Sequence, residues 1–250
     1  MVNIPSPLLD TLHAAQRITV LTGAGISAES GVPTFRDAQT GLWARYRPEE
    51  LATPEAFQRH PKLVWDWYAW RRELVAGVKP NAAHHALVKL EQQVPDFTLI
   101  TQNVDGLHRR AGSGNVLELH GELFRTKCSR CERAVNCWQD GGETPPVCGH
   151  CHAWLRPDVV WFGEMLPVTL LQKAEAAAAQ CEVFFSIGTS SLVYPAAELP
   201  FTALRGGATV VEINPQPTPL SDYVAYTLQG AAGKVLPVLL KAVWDSEVPQ

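Results

Sequence analysis

Ile18-Thr19-Val20-Leu21 is a short, branched, uncharged run that stops at Gly23-Ala24-Gly25. Such a run reads as a strand buried on both faces. The two glycines permit a tight turn and let a ligand approach the backbone closely. Ser27 and Glu29 follow where a helix would begin, so its first N–H groups face whatever lies over the turn. A helix start of this kind favours an anionic group such as a phosphate. Strand, glycine turn and helix in this order open an α/β sheet. Gly23-x-Gly25-x-x-Ala28 alone does not separate a phosphate cradle from an ordinary turn, and the rest of the chain has to decide.

Downstream of Arg36 the chain turns polar through Asp37-Ala38-Gln39-Thr40-Gly41 before Leu42-Trp43, which reads as a lid. A dinucleotide dehydrogenase would place a second strand here, closing on an acidic residue about 20 positions after the glycines. No such strand is visible. An N-terminal helix is expected over Pro5 to Gln16. Three helices are expected between Thr53 and Leu90. Thr53 caps the first, with Pro54 at its first position, and His60-Pro61 breaks it. Lys62 to Val78 carries Trp65, Trp67, Tyr68 and Trp70, and Pro80-Asn81 opens the third. Strands then return at Phe97 to Thr101, Val116 to Leu119, Val183 to Ile187 and Thr209 to Ile213, with helices between them and a closing helix from Val235. Arg156 to Phe162 reads as extended.

Polar residues collect at the carboxyl ends of these strands: Thr22-Gly23, Thr101-Gln102-Asn103, His120, Gly188-Thr189-Ser190 and Asn214. An open parallel sheet binds its ligands there, which strengthens the phosphate reading of the first turn.

The 250 residues suffice for one sizeable α/β domain plus a smaller one. A net charge of −4 disfavours a protein that lives on nucleic acid. There is no run of about 18 apolar residues to span a membrane, and Met1 to Gln16 lacks the composition of a leader. The expected compartment is the cytoplasm. Cys128-x-x-Cys131 and Cys148-x-x-Cys151 are two knuckles able to surround one tetrahedral ion. With all four positions thiolate, no site is left for water, so the ion, a zinc, is expected to be structural and to supply the folding energy of a segment with little core. His150 and His152 flank these ligands without being needed as such. Cys137 and Cys181 read as ordinary small thiols.

His120 stands between a strand and a glycine, where an imidazole can face a cleft and act as a general base. His13, His60, His84, His85 and His108 lack such a setting. Gly23-Ala24-Gly25-Ile26-Ser27, Gly31-Val32-Pro33-Thr34-Phe35-Arg36, Thr101-Gln102-Asn103-Val104-Asp105-x-Leu107-His108, His120-Gly121, the four cysteines, Arg156 through Glu164, Gly188-Thr189-Ser190 and Ile213-Asn214 occur in one order. In that order the chain resembles the sirtuins, NAD-dependent protein lysine deacylases, from about residue 15 to 240.

The resemblance implies a Rossmann-like parallel-sheet domain (1–36, 91–124 and 155–250). It also implies a smaller domain made of a helical insertion (37–90) and a zinc ribbon (125–154). It accounts for the missing acidic strand, because sirtuins cleave the glycosidic bond of NAD instead of passing a hydride. By similarity Gly23, Ala24, Gly25, Ser27 and Glu29 surround the pyrophosphate. Pro33, Thr34, Phe35, Arg36 and Trp43 belong to the lid on the nicotinamide side. Gln102, Asn103, Val104 and Asp105 line the ribose and nicotinamide pocket, and Gly188, Thr189, Ser190, Asn214, Pro215, Gln216 and Ala232 the adenosine half. His120, with Asn103 and Asp105, carries the catalysis. The substrate's amide oxygen attacks the anomeric carbon, nicotinamide leaves, and His120 deprotonates a ribose hydroxyl. That hydroxyl takes the acyl group onto ADP-ribose and frees the lysine.

The acylated peptide is expected as an added strand between Val160-Trp161-Phe162-Gly163-Glu164 and Val193-Tyr194. Tyr68 and Arg71, three apart on one helix face, resemble the subgroup acting on acidic acyl-lysines, where a phenol and a guanidinium grip the distal carboxylate. A monomer is expected, though the sequence does not fix it. Mono-ADP-ribosyl transfer to protein uses the same cleavage and stays open, as does an enzyme that is mainly a deacetylase. A non-catalytic NAD sensor is disfavoured by His120, Asn103 and Asp105 together.

Overall fold

The computed structural model describes residues 4–33, 46–137 and 144–244. Thr34, Phe35, Arg36 and Trp43, with most of the lid expectation, lie outside the described residues.

In chain order, α1 (Ser6–Ala14) leads into β1 (Arg17–Thr22) and α2 (Gly25–Ala28). After α3 (Pro48–Leu51), α4 (Pro54–Arg59) and α5 (Pro61–Ala76) comes α6 (Ala82–Gln93), and then β2 (Asp96–Thr101), α7 (Leu107–Ala111) and β3 (Val116–Glu118). The hairpin partners β4 (Gly121–Cys128) and β5 (Leu155–Val159) bracket the paired cysteines. The chain closes with α8 (Val168–Gln180), β6 (Val183–Ile187), α9 (Leu199–Arg205), β7 (Thr209–Asn214), β8 (Tyr226–Gln229) and α10 (Ala232–Trp244).

Six strands form one parallel sheet in the order β3-β2-β1-β6-β7-β8. Its central strands are buried on both faces from Ile18 in β1 and along all of β6, so they read as continuous apolar runs and not as alternation. The pleat sends alternate residues to two layers. Ile18, Val20, Val183 and Phe185 pack with α1, α6 and α10, whereas Leu21, Ile100 and Phe184 pack with α8 and α9.

A second core joins Phe57 of α4 and Val64, Trp67 and Tyr68 of α5 to Leu123, Val159 and Trp161 of the small antiparallel sheet. Trp65 meets the cysteines in a third cluster. The helices expected between residues 53 and 90 therefore divide. α4 and α5 face the small sheet, while α6 buries Ala83, Ala86, Leu87 and Leu90 in the core of the large one. Thr53 accepts from Ala56 N–H as the expected cap. Of the elements named above, three went unforeseen: α3, of a single turn, β4, which follows directly on His120, and β8, whose four residues bury Leu228 alone and so carry no periodic signal.

Candidate functional site

β1 and β6 are neighbours from which the chain leaves in opposite directions, to β2 on one side and β7 on the other. The crevice of an open sheet lies at such a switch. Three glycines pack there backbone against backbone. A Cβ on Gly23 would stand 2.8 Å from Gly188 O, one on Gly25 2.8 Å from Gly188 Cα, and one on Gly188 (φ +61°) 2.5 Å from Ile26 N. Gly23 N–H donates to Ile187 O at 3.0 Å and Gly25 N–H to Gly188 O at 2.8 Å. The second glycine strand end is thus part of the first turn's architecture, and no side chain fills the crevice at these positions.

The helix expected after the turn is one turn long. Its first amides are spent within the protein: Ile26 N–H on Gly23 O and Ser27 N–H on Ala24 O, both at 3.1 Å. A four-residue helix also carries little macrodipole. The anion-binding capacity of this turn rests on close backbone approach more than on a helix end. Glu29 caps a different helix, its carboxylate accepting from Gly233 N–H at 2.6 Å at the start of α10, beside buried Ala232.

Behind the turn lies a buried polar set. Ser27 Oγ donates to Asp105 Oδ2 at 2.7 Å, and Asn103 Nδ2 donates to Gly23 O at 3.1 Å and Ser27 Oγ at 3.2 Å. Leu107 N–H holds the other carboxylate oxygen of Asp105 at 2.9 Å. Burial raises the Asp105 carboxyl above its ordinary value, opposed by these hydrogen bonds and by Arg71 and Arg110. Gln102 N–H extends the ladder to Thr22 O at 3.0 Å, and Val104 O accepts from Leu123 N–H of β4 at 2.8 Å. Strand end, glycine turn and small sheet are tied together through residues 102–105.

His120 sits where the large sheet hands over to the small one. Its Nδ1 lies 2.9 Å from Gln102 O. A carbonyl can only accept, so Nδ1 carries the hydrogen and Nε2 keeps its lone pair. Its own carbonyl accepts from Val160 N–H at 2.8 Å. Burial lowers the imidazole pKa, partly offset by the Gln102 hydrogen bond. The following glycine is obligatory: at Gly121 (φ +80°) a Cβ would come within 2.1 Å of Asp158 O across the β4–β5 pair.

On the β6–β7 side, Asn214 Nδ2 donates to Thr189 O at 2.9 Å, and Thr189 Oγ1 accepts from Ser191 N–H at 3.1 Å. Ser190 is half-buried, and Pro215 and Gln216 are exposed just past β7.

Tyr68 and Arg71 do share a face of α5. Burial pushes the Tyr68 phenol up to about 12 and lowers the Arg71 guanidinium from its ordinary value. Trp161 Nε1–H donates to Tyr68 Oη at 2.9 Å. In the stretch expected to receive a peptide, much of the backbone is already engaged. Val160 N–H goes to His120 O, Phe162 N–H to Ala52 O at 2.9 Å, and Trp161 N–H to Glu164 Oε2 at 2.8 Å. Among the described residues Gly163 N–H donates to nothing. Phe162, Val193 and Tyr194 present exposed side chains. Glu164, expected as a peptide contact, grips Arg156 through both oxygens at 2.5 and 2.8 Å.

The four sulfurs of Cys128, Cys131, Cys148 and Cys151 lie within 4.8 Å of one another. Cys128 and Cys151 are 3.3 Å apart and Cys131 and Cys148 3.9 Å, bracketing the ~3.8 Å edge of a tetrahedron with metal–sulfur bonds of about 2.3 Å. Arg130 and Cys131 N–H point at Cys128 Sγ, and His150 N–H at Cys148 Sγ, each at 3.4 Å. Amides aimed at sulfur favour thiolates, so the donor set fits zinc, closed to water.

The Sir2 family model matches residues 23–195. An NAD-dependent protein deacylase of Methylococcus capsulatus is 51% identical over 244 residues, 94% of this chain and 96% of that protein. A solved Sir2 homologue–NAD complex is 46% identical with a TM-score of 0.91, covering 98% of this chain and 96% of the other. A Sir2 protein solved with an acetylated peptide is 33% identical with a TM-score of 0.84, over 94% and 96%.

This chain belongs to the Sir2 family.

Within its Sir2 fold, two histidines read from sequence as unremarkable lie against the site. His108 Nε2 meets Thr22 Oγ1 at 2.9 Å at the end of β1, and His84 closes a capping box with Asn81, whose Nδ2 holds Ile26 O at 2.8 Å. Burial drives both imidazoles down, to about 3 and about 4. Asn-x-x-His departs from the usual capping-box pattern, so no local motif signals it. Arg156 is the other omission, an arginine inside an extended run whose partner stands eight residues on.

Proposed function

We propose that this Sir2 chain removes acyl groups from protein lysines at the expense of NAD, acting best on succinyl- and malonyl-lysine and also on acetyl-lysine. It yields nicotinamide, 2'-O-acyl-ADP-ribose and free lysine. What carries the activity is His120, a neutral imidazole with Nε2 bare and Nδ1 anchored on Gln102 O. NAD supplies a glycosidic bond whose cleavage activates the ribose carbon toward the acyl oxygen. His120 Nε2 takes the proton of a ribose hydroxyl. Gly23, Gly25 and Gly188 leave the crevice open for the pyrophosphate. Asn103 and Asp105, stiffened by Ser27, hold the ribose end of the pocket. Thr189, Ser190, Asn214 and the residues after β7 face the adenosine half.

The acidic preference rests on Tyr68 and Arg71, a buried phenol bonded to Trp161 and a half-buried guanidinium on one helix face. A distal carboxylate would receive a donor from each. Arg71→Met should lower desuccinylation at least about tenfold more than deacetylation, in line with the loss of a charged hydrogen bond. Matched succinyl- and acetyl-lysine peptides measure this, and equal losses on both would refute the preference. In the domain division supported by packing, α4, α5 and the ribbon form the small domain and α6 joins the large one.

A further inference from the structure

Trp161 leaves β5 almost wholly buried, 2% exposed. The Arg156 guanidinium lies over its ring, 3.3 Å from the centroid, and Phe57 packs beside it at 5.2 Å between centroids. Glu164 holds Arg156 and accepts the Trp161 backbone N–H, so the ring's position is fixed from several sides. An indole N–H can only donate. It donates across the small core to Tyr68 Oη, 93 positions earlier in the chain. Among the described residues this is the hydrogen bond Tyr68 makes. A phenol has one hydrogen, and an oxygen that accepts from Trp161 turns that hydrogen elsewhere. Arg71 carries donors alone.

We infer that Trp161 is a specificity-determining positioning residue: its indole N–H fixes the Tyr68 hydroxyl as a donor, so the wall formed with Arg71 offers only hydrogens and selects acyl groups that end in a carboxylate. The inference rests on the acidic-acyl reading above. Accepting a hydrogen bond also polarises the phenol and makes it a better donor. Without the indole N–H, Oη is left buried with an unfilled lone pair and its hydrogen can turn to either side.

The test reads one quantity, the ratio of kcat/KM on a succinyl-lysine peptide to that on the matching acetyl-lysine peptide. Trp161→Phe should lower this ratio about fivefold, the order of one buried neutral hydrogen bond, through KM of the succinyl peptide. In a Tyr68→Phe background the same change should alter the ratio by less than about twofold, because the partner of the indole is gone. Benzothienylalanine at 161 keeps the ring shape and replaces N–H by sulfur, and should repeat the result if phenylalanine disturbs folding. An unchanged ratio in Trp161→Phe, or an equal fall in both backgrounds, overturns the inference. Arg71→Met separates the two readings. If it lowers the ratio while Trp161→Phe does not, this inference fails alone. If it leaves the ratio unchanged, the acidic-acyl reading fails and takes this one with it.

Discussion

His120, the proposed base, shows how a single carbonyl can set the tautomer of an imidazole. Gln102 O chooses the tautomer, and burial keeps the ring neutral. Because the folded imidazole pKa lies below its ordinary value of 6.5, the base stays competent as the pH falls through 6.5. The acid limb of a kcat/KM profile should therefore break below that value, and a break above it would contradict the assignment. His120→Ala should lose about 10²- to 10⁴-fold in turnover with NAD binding retained, as titration calorimetry would report. The residue's place between strand and glycine was legible. The tautomer was not, since the acceptor lies 18 residues away on another strand end. His84 and His108 were illegible for the same reason: their importance is spatial, and their local sequence carries no pattern.

Among the elements, the sheet strands were the easiest to read, because parallel strands buried on both faces leave unbroken apolar runs. α6 was placed with its neighbours in sequence, yet its apolar stripe fits α10 and β2. Periodicity reports that a face is buried but not against what. The one-turn α2 likewise could not be told from a longer helix, since Ser27 and Glu29 suit either. The ribbon is the element most dependent on something outside the chain. Trp65 and Leu155 are the only large side chains packed with its cysteines in that cluster, too little to order a loop of this length. Removing zinc with a chelator, or Cys148→Ser, should expose the segment between Cys128 and Cys151 to limited proteolysis and lower Tm. An unchanged cleavage pattern on verified metal loss would show that the ribbon folds without it.

At the level of the molecule, one seam joins the two units. His120 stands two residues past the last strand residue of β3, Gly121 begins the small sheet, and Val160 returns to His120 O. The NAD crevice and the wall formed by Tyr68 and Trp161 thus meet at the residue assigned as base, which is where an acyl group has to pass from lysine to ribose. The order of the motifs was enough to recognise the family, and the small domain's core, assembled from α4, α5 and β5, was beyond it. The most direct test is mass spectrometry of the products from NAD and an acylated lysine peptide. Equimolar nicotinamide, free-lysine peptide and acyl-ADP-ribose are expected from the protein, and acyl-ADP-ribose formed about 10²- to 10⁴-fold more slowly from His120→Ala. Peptide or protein carrying ADP-ribose in place of acyl-ADP-ribose would contradict the account.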